Sequence, residues 1–168
     1  MSRPPFDPIE RAAELWRERW GEDSAYRAMA TATSVMRVQQ LLLAHYDQLL
    51  APLELTFARY EALVLLTFSR TGSLPMGKVG ERLMIHPTSA TNIVQRLAAA
   101  GLVERRPNPR DGRGALASIT EEGRRRMEQA TALLERERFG LDGLSDADHD
   151  RLYELLGRVR AADTDGTR

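Results

Sequence analysis

Residues 76–101 read MGKVGERLMIHPTSATNIVQRLAAAG, and they carry the most specific structural signal in the chain. Met76, Val79 and Leu83 recur at helical spacing, which predicts a short first helix. Pro87 suits the first position of a second helix, because the first backbone N–H groups of a helix have no partner within it and proline has no N–H. Only residues 84–86 separate the two patterns, so the stretch predicts a helix-turn-helix.

The second of these helices has two faces of opposite character. Its apolar stripe comprises Ala90, Ile93, Val94 and Leu97. Its polar stripe, displaced by about 200°, comprises Thr88, Thr91, Asn92 and Gln95. A merely solvated helix face usually carries Glu and Lys, whereas hydroxyl and amide side chains bond the edges of bases. Short polar residues also cap helix starts, and for this helix alone capping and base reading are equally good explanations.

Residues 102–106 and 115–119 resemble two short strands, and residues 107–114 between them are rich in turn formers. This pattern predicts a β-hairpin, which would form a wing beside the helix-turn-helix. From Arg96 to Arg113 there are five arginines and two acids, which leaves a net charge of +3 in a chain whose net charge is zero. A solvated surface hairpin is the alternative, but a basic hairpin directly after a helix-turn-helix favours duplex DNA as the partner.

Three helical patterns precede this unit. The first starts at Asp7, whose carboxylate can cap a helix, and ends near Gly21. The second is long and runs from about residue 24 to residue 50. Thr56 opens the third, which ends before the turn at residues 70–73.

Two more helical patterns follow the hairpin. Thr120 caps a helix that continues to about Phe139, and Ser145 with Asp148 forms a capping box before the last helix. A single apolar stripe in the last helix predicts one buried face. It consists of Leu152, Leu155, Leu156 and Val159.

Composition limits the class of protein. The chain has 168 residues, of which 42% are hydrophobic and 29% charged, as expected for one folded domain. It has no cysteine, which excludes disulfides and thiol-based redox sensing. No apolar run approaches the roughly 20 residues of a membrane span, and the N-terminus does not resemble a signal peptide, so a cytoplasmic location is expected. The zero net charge keeps one alternative open: a helical protein-interaction module with a winged-helix shape that no longer binds DNA.

An enzyme is not expected. The three histidines, His45, His86 and His149, show no metal-ligand spacing. Neither a phosphate-binding glycine loop nor a cysteine nucleophile occurs. We therefore expect no catalytic residue, no metal and no cofactor.

The order of these motifs resembles the MarR family of bacterial winged-helix regulators. The resemblance covers about residues 24–159 and rests on the helix-turn-helix, Leu-Val-Glu-Arg-Arg from residue 102, Asp111-Gly112-Arg113 in the tip and Ser-Ile-Thr-Glu-Glu-Gly from residue 118. It implies a mainly α fold with a small β-hairpin wing, in which Arg113 reaches a minor groove and Asp111 helps to hold the wing. It also implies a transcriptional regulator, most often a repressor, that binds a near-palindromic site as a homodimer.

The resemblance also suggests how the chain is organised. Residues 1–55 would be N-terminal dimerisation helices, residues 56–120 the winged helix-turn-helix, and residues 121–168 the C-terminal dimerisation helices with a frayed tail, all in one compact domain. The predicted DNA-binding residues are Thr88, Ser89, Thr91, Asn92, Gln95, Arg96, Arg106, Arg110, Asp111 and Arg113.

Three residues depart from the family pattern. Met84 stands where many members have Gly, His86 where Ser usually caps, and Gly80 where Ala is common. We expect each to strain or loosen the turn by about 1 kcal/mol without removing the fold.

Many members of this family release DNA when a small molecule binds between the dimer helices and the DNA-binding lobe. The resemblance places such an effector pocket at Trp16, His45, Tyr46, Arg59 and Tyr60. A structural role in the core is the alternative for these residues.

The added N-terminal helix with Trp16 also resembles the urate-responsive branch of the family. That branch pairs the Trp with an acid and an Arg seven residues apart on the second core helix. Glu61 matches the acid, but Phe68 stands at the other position, so urate is not predicted. Trp16 and Trp20 are expected to pack the added helix onto the dimer scaffold.

Overall fold

The computed structural model describes residues 5–108 and 111–164, with the backbone alone at 111–113 and 163–164. Within these residues the chain is mainly helical with one small antiparallel sheet, which confirms the predicted fold class. The elements are α1 (Pro8–Trp20), α2 (Tyr26–Leu50), α3 (Phe57–Phe68), β1 (Ser73–Pro75), α4 (Met76–Leu83), α5 (Pro87–Ala99), β2 (Val103–Asn108), β3 (Asp111–Ile119), α6 (Glu121–Arg136) and α7 (Asp146–Thr164). None of the helices in this described part combines the length and the apolar character that crossing a membrane requires.

The helices start where the sequence predicts capping residues. Oδ1 of Asp7 accepts the backbone N–H of Ile9 at 2.8 Å, and Oγ1 of Thr120 accepts that of Gly123 at 3.0 Å. Ser145 and Asp148 form the predicted capping box, in which each side chain accepts the other residue's backbone N–H at 3.2 Å. The hydroxyl of Ser145 also donates to the Asp148 carboxylate at 2.5 Å, and this bond, together with that from the backbone N–H of Ser145, lowers the pKa of Asp148 because both favour the ionised form.

The core lies where α3, α5 and α6 pack around the sheet and the end of α2. Its fully buried side chains include Leu50, Leu63, Leu66, Val79, Val94, Leu97, Leu102 and Leu134. Burying one such side chain contributes roughly 1.5–3 kcal/mol. This shared core holds the helix-turn-helix and the sheet in one packed unit.

The sheet is larger than the predicted hairpin. Its strand order is β1-β3-β2, and both pairings are antiparallel. The prediction that residues 107–114 form a loop is wrong for most of that segment, because the ladder continues to pair Pro107 with Ala115 and Asn108 with Asp111. β1 was not predicted at all, and it adds a third strand on the other side of β3.

The predicted end of α6 near Phe139 is also wrong. The helix ends at Arg136, and a 3-10 turn follows at Arg138–Gly140. Arg138 and Phe139 have φ values of 45° and 52°, a left-handed conformation that does not continue a helix. The hydroxyl of Tyr46 donates to the carbonyl oxygen of Phe139 at 2.6 Å and fastens this turn to α2.

The predicted burial of the stripe on the last helix is wrong within the single chain. Leu152, Leu155 and Val159 are 40%, 48% and 66% exposed. No residue of α7 whose side chain is described is buried, and α1 has no buried residue either, although it packs on α2. The apolar stripe exists as predicted, but no other layer within residues 5–108 and 111–164 covers it.

Candidate nucleic-acid interface

His86 caps the start of α5. Its Nδ1 accepts the backbone N–H of Thr88 at 3.2 Å, so the imidazole takes the place of the serine that is usual in the family pattern. An Nδ1 that accepts carries no proton, which leaves Nε2 as the donor of the neutral ring. The departure at residue 86 therefore still gives a capped helix.

The other two departures are Met84, in the turn before α5, and Gly80, on α4. Met84 has φ and ψ of 53° and 41°, a left-handed conformation that costs a residue with a side chain roughly 1–2 kcal/mol. Gly80 is buried where α4 meets α5, and a Cβ there would lie 3.4 Å from both the Ala90 Cβ and the Ile85 carbonyl oxygen. Strain is therefore expected at Met84, while the space at Gly80 is close to what an alanine needs.

The two faces of α5 lie as the sequence predicts. On the apolar face, Ala90, Val94 and Leu97 are buried and Ile93 is half-buried. On the polar face, Thr88, Ser89, Asn92, Gln95 and Arg96 are exposed and Thr91 is half-buried. The core thus fixes the helix by one face and leaves the polar face open to a ligand.

Three side chains of the polar face are engaged in local hydrogen bonds. The hydroxyl of Thr91 donates to the carbonyl oxygen of Pro87 at 3.0 Å. Nε of Arg96 donates to Oδ1 of Asn92 at 3.2 Å. The spacing of four residues makes such pairs possible, but the sequence does not show which of them form, because that depends on side-chain rotamers.

The wing adds basic residues next to α5. Arg106 is exposed on β2, and its Nε donates to Oε2 of Glu104 at 2.9 Å. Glu104 was not predicted as a site residue, although its spacing of two residues puts it on the same face of the strand as Arg106. Asp111 and Arg113 belong to β3, and the predicted residue Arg110 lies outside the described residues.

Of the five residues predicted for an effector pocket, two lie in the core and three lie nearer the surface. Tyr46 and Tyr60 are core residues, each 6% exposed. Burial raises the pKa of Tyr46. The hydroxyl of Tyr60 is 3.0 Å from the hydroxyl of Thr131, with which it shares a hydrogen bond. Both tyrosines therefore fit the alternative of a structural role.

The other three predicted effector residues lie nearer the surface. Arg59 is half-buried, and its Nη1 donates to the carbonyl oxygen of Glu54 at 3.4 Å. Trp16 packs against Trp20 with ring centroids 4.5 Å apart and ring planes tilted by 47°. His45 lines a cavity of about 400 Å³ between α2 and residues 136–142, and the other four predicted residues do not line it. Within residues 5–108 and 111–164, no group of His, Asp and Glu side chains is arranged to hold a metal ion.

Comparisons with known proteins agree with this architecture. Residues 53–114 match the model of the MarR family. The organic hydroperoxide resistance transcriptional regulator of Bacillus subtilis is 35% identical over 85 residues, which cover 51% of this chain and 56% of that protein. The match thus spans about half the length of this curated relative.

Solved structures extend the similarity over most of the chain. Sco5413, a MarR family transcriptional regulator from Streptomyces coelicolor, is 51% identical with a TM-score of 0.77, and the match covers 83% of this chain and 96% of that one. A mutant MarR from E. coli, complexed with operator DNA, shares the fold with a TM-score of 0.72 at 24% identity, over 82% of this chain and 99% of that one. On these matches, the chain belongs to the MarR family of transcriptional regulators.

Proposed function

We propose that this chain binds double-stranded DNA in a sequence-specific manner, with α5 in the major groove and the β2–β3 wing beside it. The observation that carries the proposal is the exposed row of Thr88, Asn92 and Gln95 on a helix whose opposite face is buried. Hydroxyl and amide side chains bond base edges, and the major groove of B-DNA is wide enough to admit an α-helix. The E. coli MarR complex has operator DNA on the same fold, which supports the same use of the fold here.

The chain has no net charge, but the local distribution of its basic residues supports DNA as the ligand. Arg96 and Arg106 are exposed at the end of α5 and on β2, and Arg113 follows in β3. We propose that Arg113 enters the minor groove, that Arg106 and Arg110 contact phosphates, and that Asp111 braces the wing. Because each neutralised phosphate releases counterions, binding should weaken steeply with salt.

We further propose that two copies form a homodimer through residues 1–55 and 121–168, with residues 56–120 as the DNA-binding part. Apolar side chains lie exposed along α2 and α7, including Met36 at 65% and Val159 at 66%. Exposed apolar side chains in this number favour an interface, because large exposed apolar patches usually mark one. A two-fold dimer would present its two α5 helices to successive major grooves, roughly 34 Å apart, of a palindromic operator.

We also propose that the chain represses transcription and that a small-molecule effector relieves this repression. The cavity beside His45, about 400 Å³, falls within the usual size of a small-molecule site. It lies between α2 and the turn after α6, both in the part proposed for dimerisation, so an occupant would act on the arrangement of the two copies. An effector is expected to lower operator affinity in the wild type and to lose that effect in His45→Ala.

The test of DNA binding is a titration of the full chain against the DNA that flanks its own gene, at several salt concentrations. We expect protection of one palindrome and a steep fall of affinity with salt. Arg106→Ala, which removes a proposed phosphate contact, should weaken binding to every sequence and reduce the salt slope by about 1, whereas Arg125→Ala, on the exposed surface of α6, should leave the slope unchanged. Arg113→Ala should also weaken binding, because it removes the proposed minor-groove contact. If no specific site is protected, the chain is better described as a helical protein-interaction module.

A further inference from the structure

Asn92 and Arg96 form a hydrogen-bonded pair on the polar face of α5. Nε of Arg96 donates to Oδ1 of Asn92 at 3.2 Å, and the two residues lie one helical turn apart. A guanidinium group only donates, so the atom of Asn92 that faces Arg96 must be the amide oxygen. The pair therefore fixes which end of the amide points away from Arg96: the NH₂ group.

This orientation matters because an asparagine amide recognises adenine with both of its ends. The oxygen accepts a hydrogen bond from adenine N6 while the NH₂ group donates to N7. The bond to Arg96 occupies one of the two lone pairs of the Asn92 oxygen and holds the amide plane, so the amide is no longer free to turn both of its ends toward one adenine. The NH₂ group still suits acceptors, which guanine offers at both O6 and N7 and thymine at O4, whereas adenine offers N7 only beside its own N6 donor.

We propose that Arg96 sets the base preference of Asn92 by holding its amide oxygen, so that Asn92 reads guanine or thymine instead of adenine. This inference rests on the proposed function, since it assigns a base to a residue of the proposed DNA-reading face. Arg96 acts here as a positioning residue. Its other guanidinium N–H groups remain available to a phosphate.

The pair should persist when DNA is bound. Its hydrogen bond is charge-assisted, and such bonds are roughly twice as strong as those between neutral groups. Both residues stand on one rigid helix, so the arrangement exists before DNA arrives. Gln95 provides a contrast on the same face, because it makes no side-chain hydrogen bond with any described residue and keeps both ends of its amide for adenine.

The experiment selects binding sites from duplex DNA with roughly 20 randomised base pairs, using the full chain. The variant Asn92→Ala identifies the base position that depends on Asn92. At that position the wild type should prefer guanine or thymine over adenine by at least about fivefold, the lower end for one good base contact. Arg96→Ala should shift the preference toward adenine by a similar factor. Arg82→Ala, which removes the same charge from exposed α4, should leave the base preference unchanged.

Three results would overturn the inference: adenine preferred by the wild type at that position, the wild-type preference retained in Arg96→Ala, or no position at which Asn92→Ala changes the preference. In each of these cases the wild type still selects a sequence, so the proposed DNA-binding function stands. If the wild type selects no sequence at all, the proposed function fails and the inference fails with it. Circular dichroism checks the fold of Arg96→Ala, and Arg96→Met, which keeps an aliphatic stem without a donor, should give the same shift.

Discussion

Gly123, in the first turn of α6, lies against the backbone of Leu102 so closely that a Cβ at residue 123 would be 2.2 Å from the Leu102 carbonyl oxygen. Thr120, which caps α6, donates its hydroxyl to the carbonyl oxygen of Gly101 at 2.8 Å and its backbone N–H to that of Leu102 at 3.1 Å. α6 therefore docks directly on the chain between α5 and β2. The proposed dimerisation helices are joined to the proposed DNA-binding part by a tight contact.

Gly123→Ala is expected to lower the free energy of unfolding by about 2–3 kcal/mol, because the added methyl group meets backbone that must move. The matched control is Gly77→Ala on α4, where a Cβ would meet nothing within 4 Å. That control should keep or slightly raise stability, since alanine favours a helix over glycine. Denaturant unfolding at one protomer concentration measures both variants, and equal midpoints would contradict the close packing at residue 123.

Met84→Gly is expected to raise the free energy of unfolding by about 1 kcal/mol, because glycine adopts the left-handed conformation of residue 84 without a steric penalty. Met84→Ala is the control, since it also removes the long side chain but keeps the Cβ that causes the strain. Thermal or denaturant unfolding compares the two. A Met84→Gly variant no more stable than Met84→Ala would show that the turn carries no strain.

Much of the fold could be predicted because its signals are local. The caps at Asp7 and Thr120 and the two faces of α5 depend on residues within one or two helical turns, and the structure confirms them. β1 could not be predicted, because three residues carry no useful periodicity and its pairing joins Ser73 to Ser118, 45 residues away. Pairing partners of this kind emerge only when the tertiary fold is known.

In the candidate site, too, some features follow from local sequence and others do not. Which residues of α5 face outward follows from helical spacing, whereas the bond between Arg96 and Asn92 and the pairing of Arg106 with Glu104 depend on rotamers. His86 was expected to weaken the start of α5, yet its imidazole nitrogen accepts a backbone N–H much as a serine oxygen would. A family pattern gives the residues that are common at a position, but other side chains can make the same capping hydrogen bond.

The stripe on α7 was predicted to be buried from its own spacing, but burial depends on what covers it. In the proposed homodimer a second copy of the chain covers the stripe.

Leu155→Glu, which places a charge within the stripe, is expected to weaken the dimer, as measured by sedimentation equilibrium. Phe68→Glu is the matched control: it puts the same charge on an apolar residue of α3 that is 84% exposed, outside the proposed interface. A wild type that stays monomeric at micromolar concentration, or equal dimer affinity in all three proteins, would contradict the proposed interface.

Reading of bases by α5 is tested most directly by measuring how Gln95→Ala binds the operator and a set of operators with single base-pair changes. Gln95 and Gln129 are both exposed glutamines, on α5 and α6 respectively, so Gln129→Ala is the control. We predict that Gln95→Ala loses about 1–3 kcal/mol of discrimination at one base position in each half-site and keeps it elsewhere, while Gln129→Ala matches the wild type at every position. Discrimination by Gln95→Ala that equals the wild type at every position would contradict a base-reading role for this face of α5.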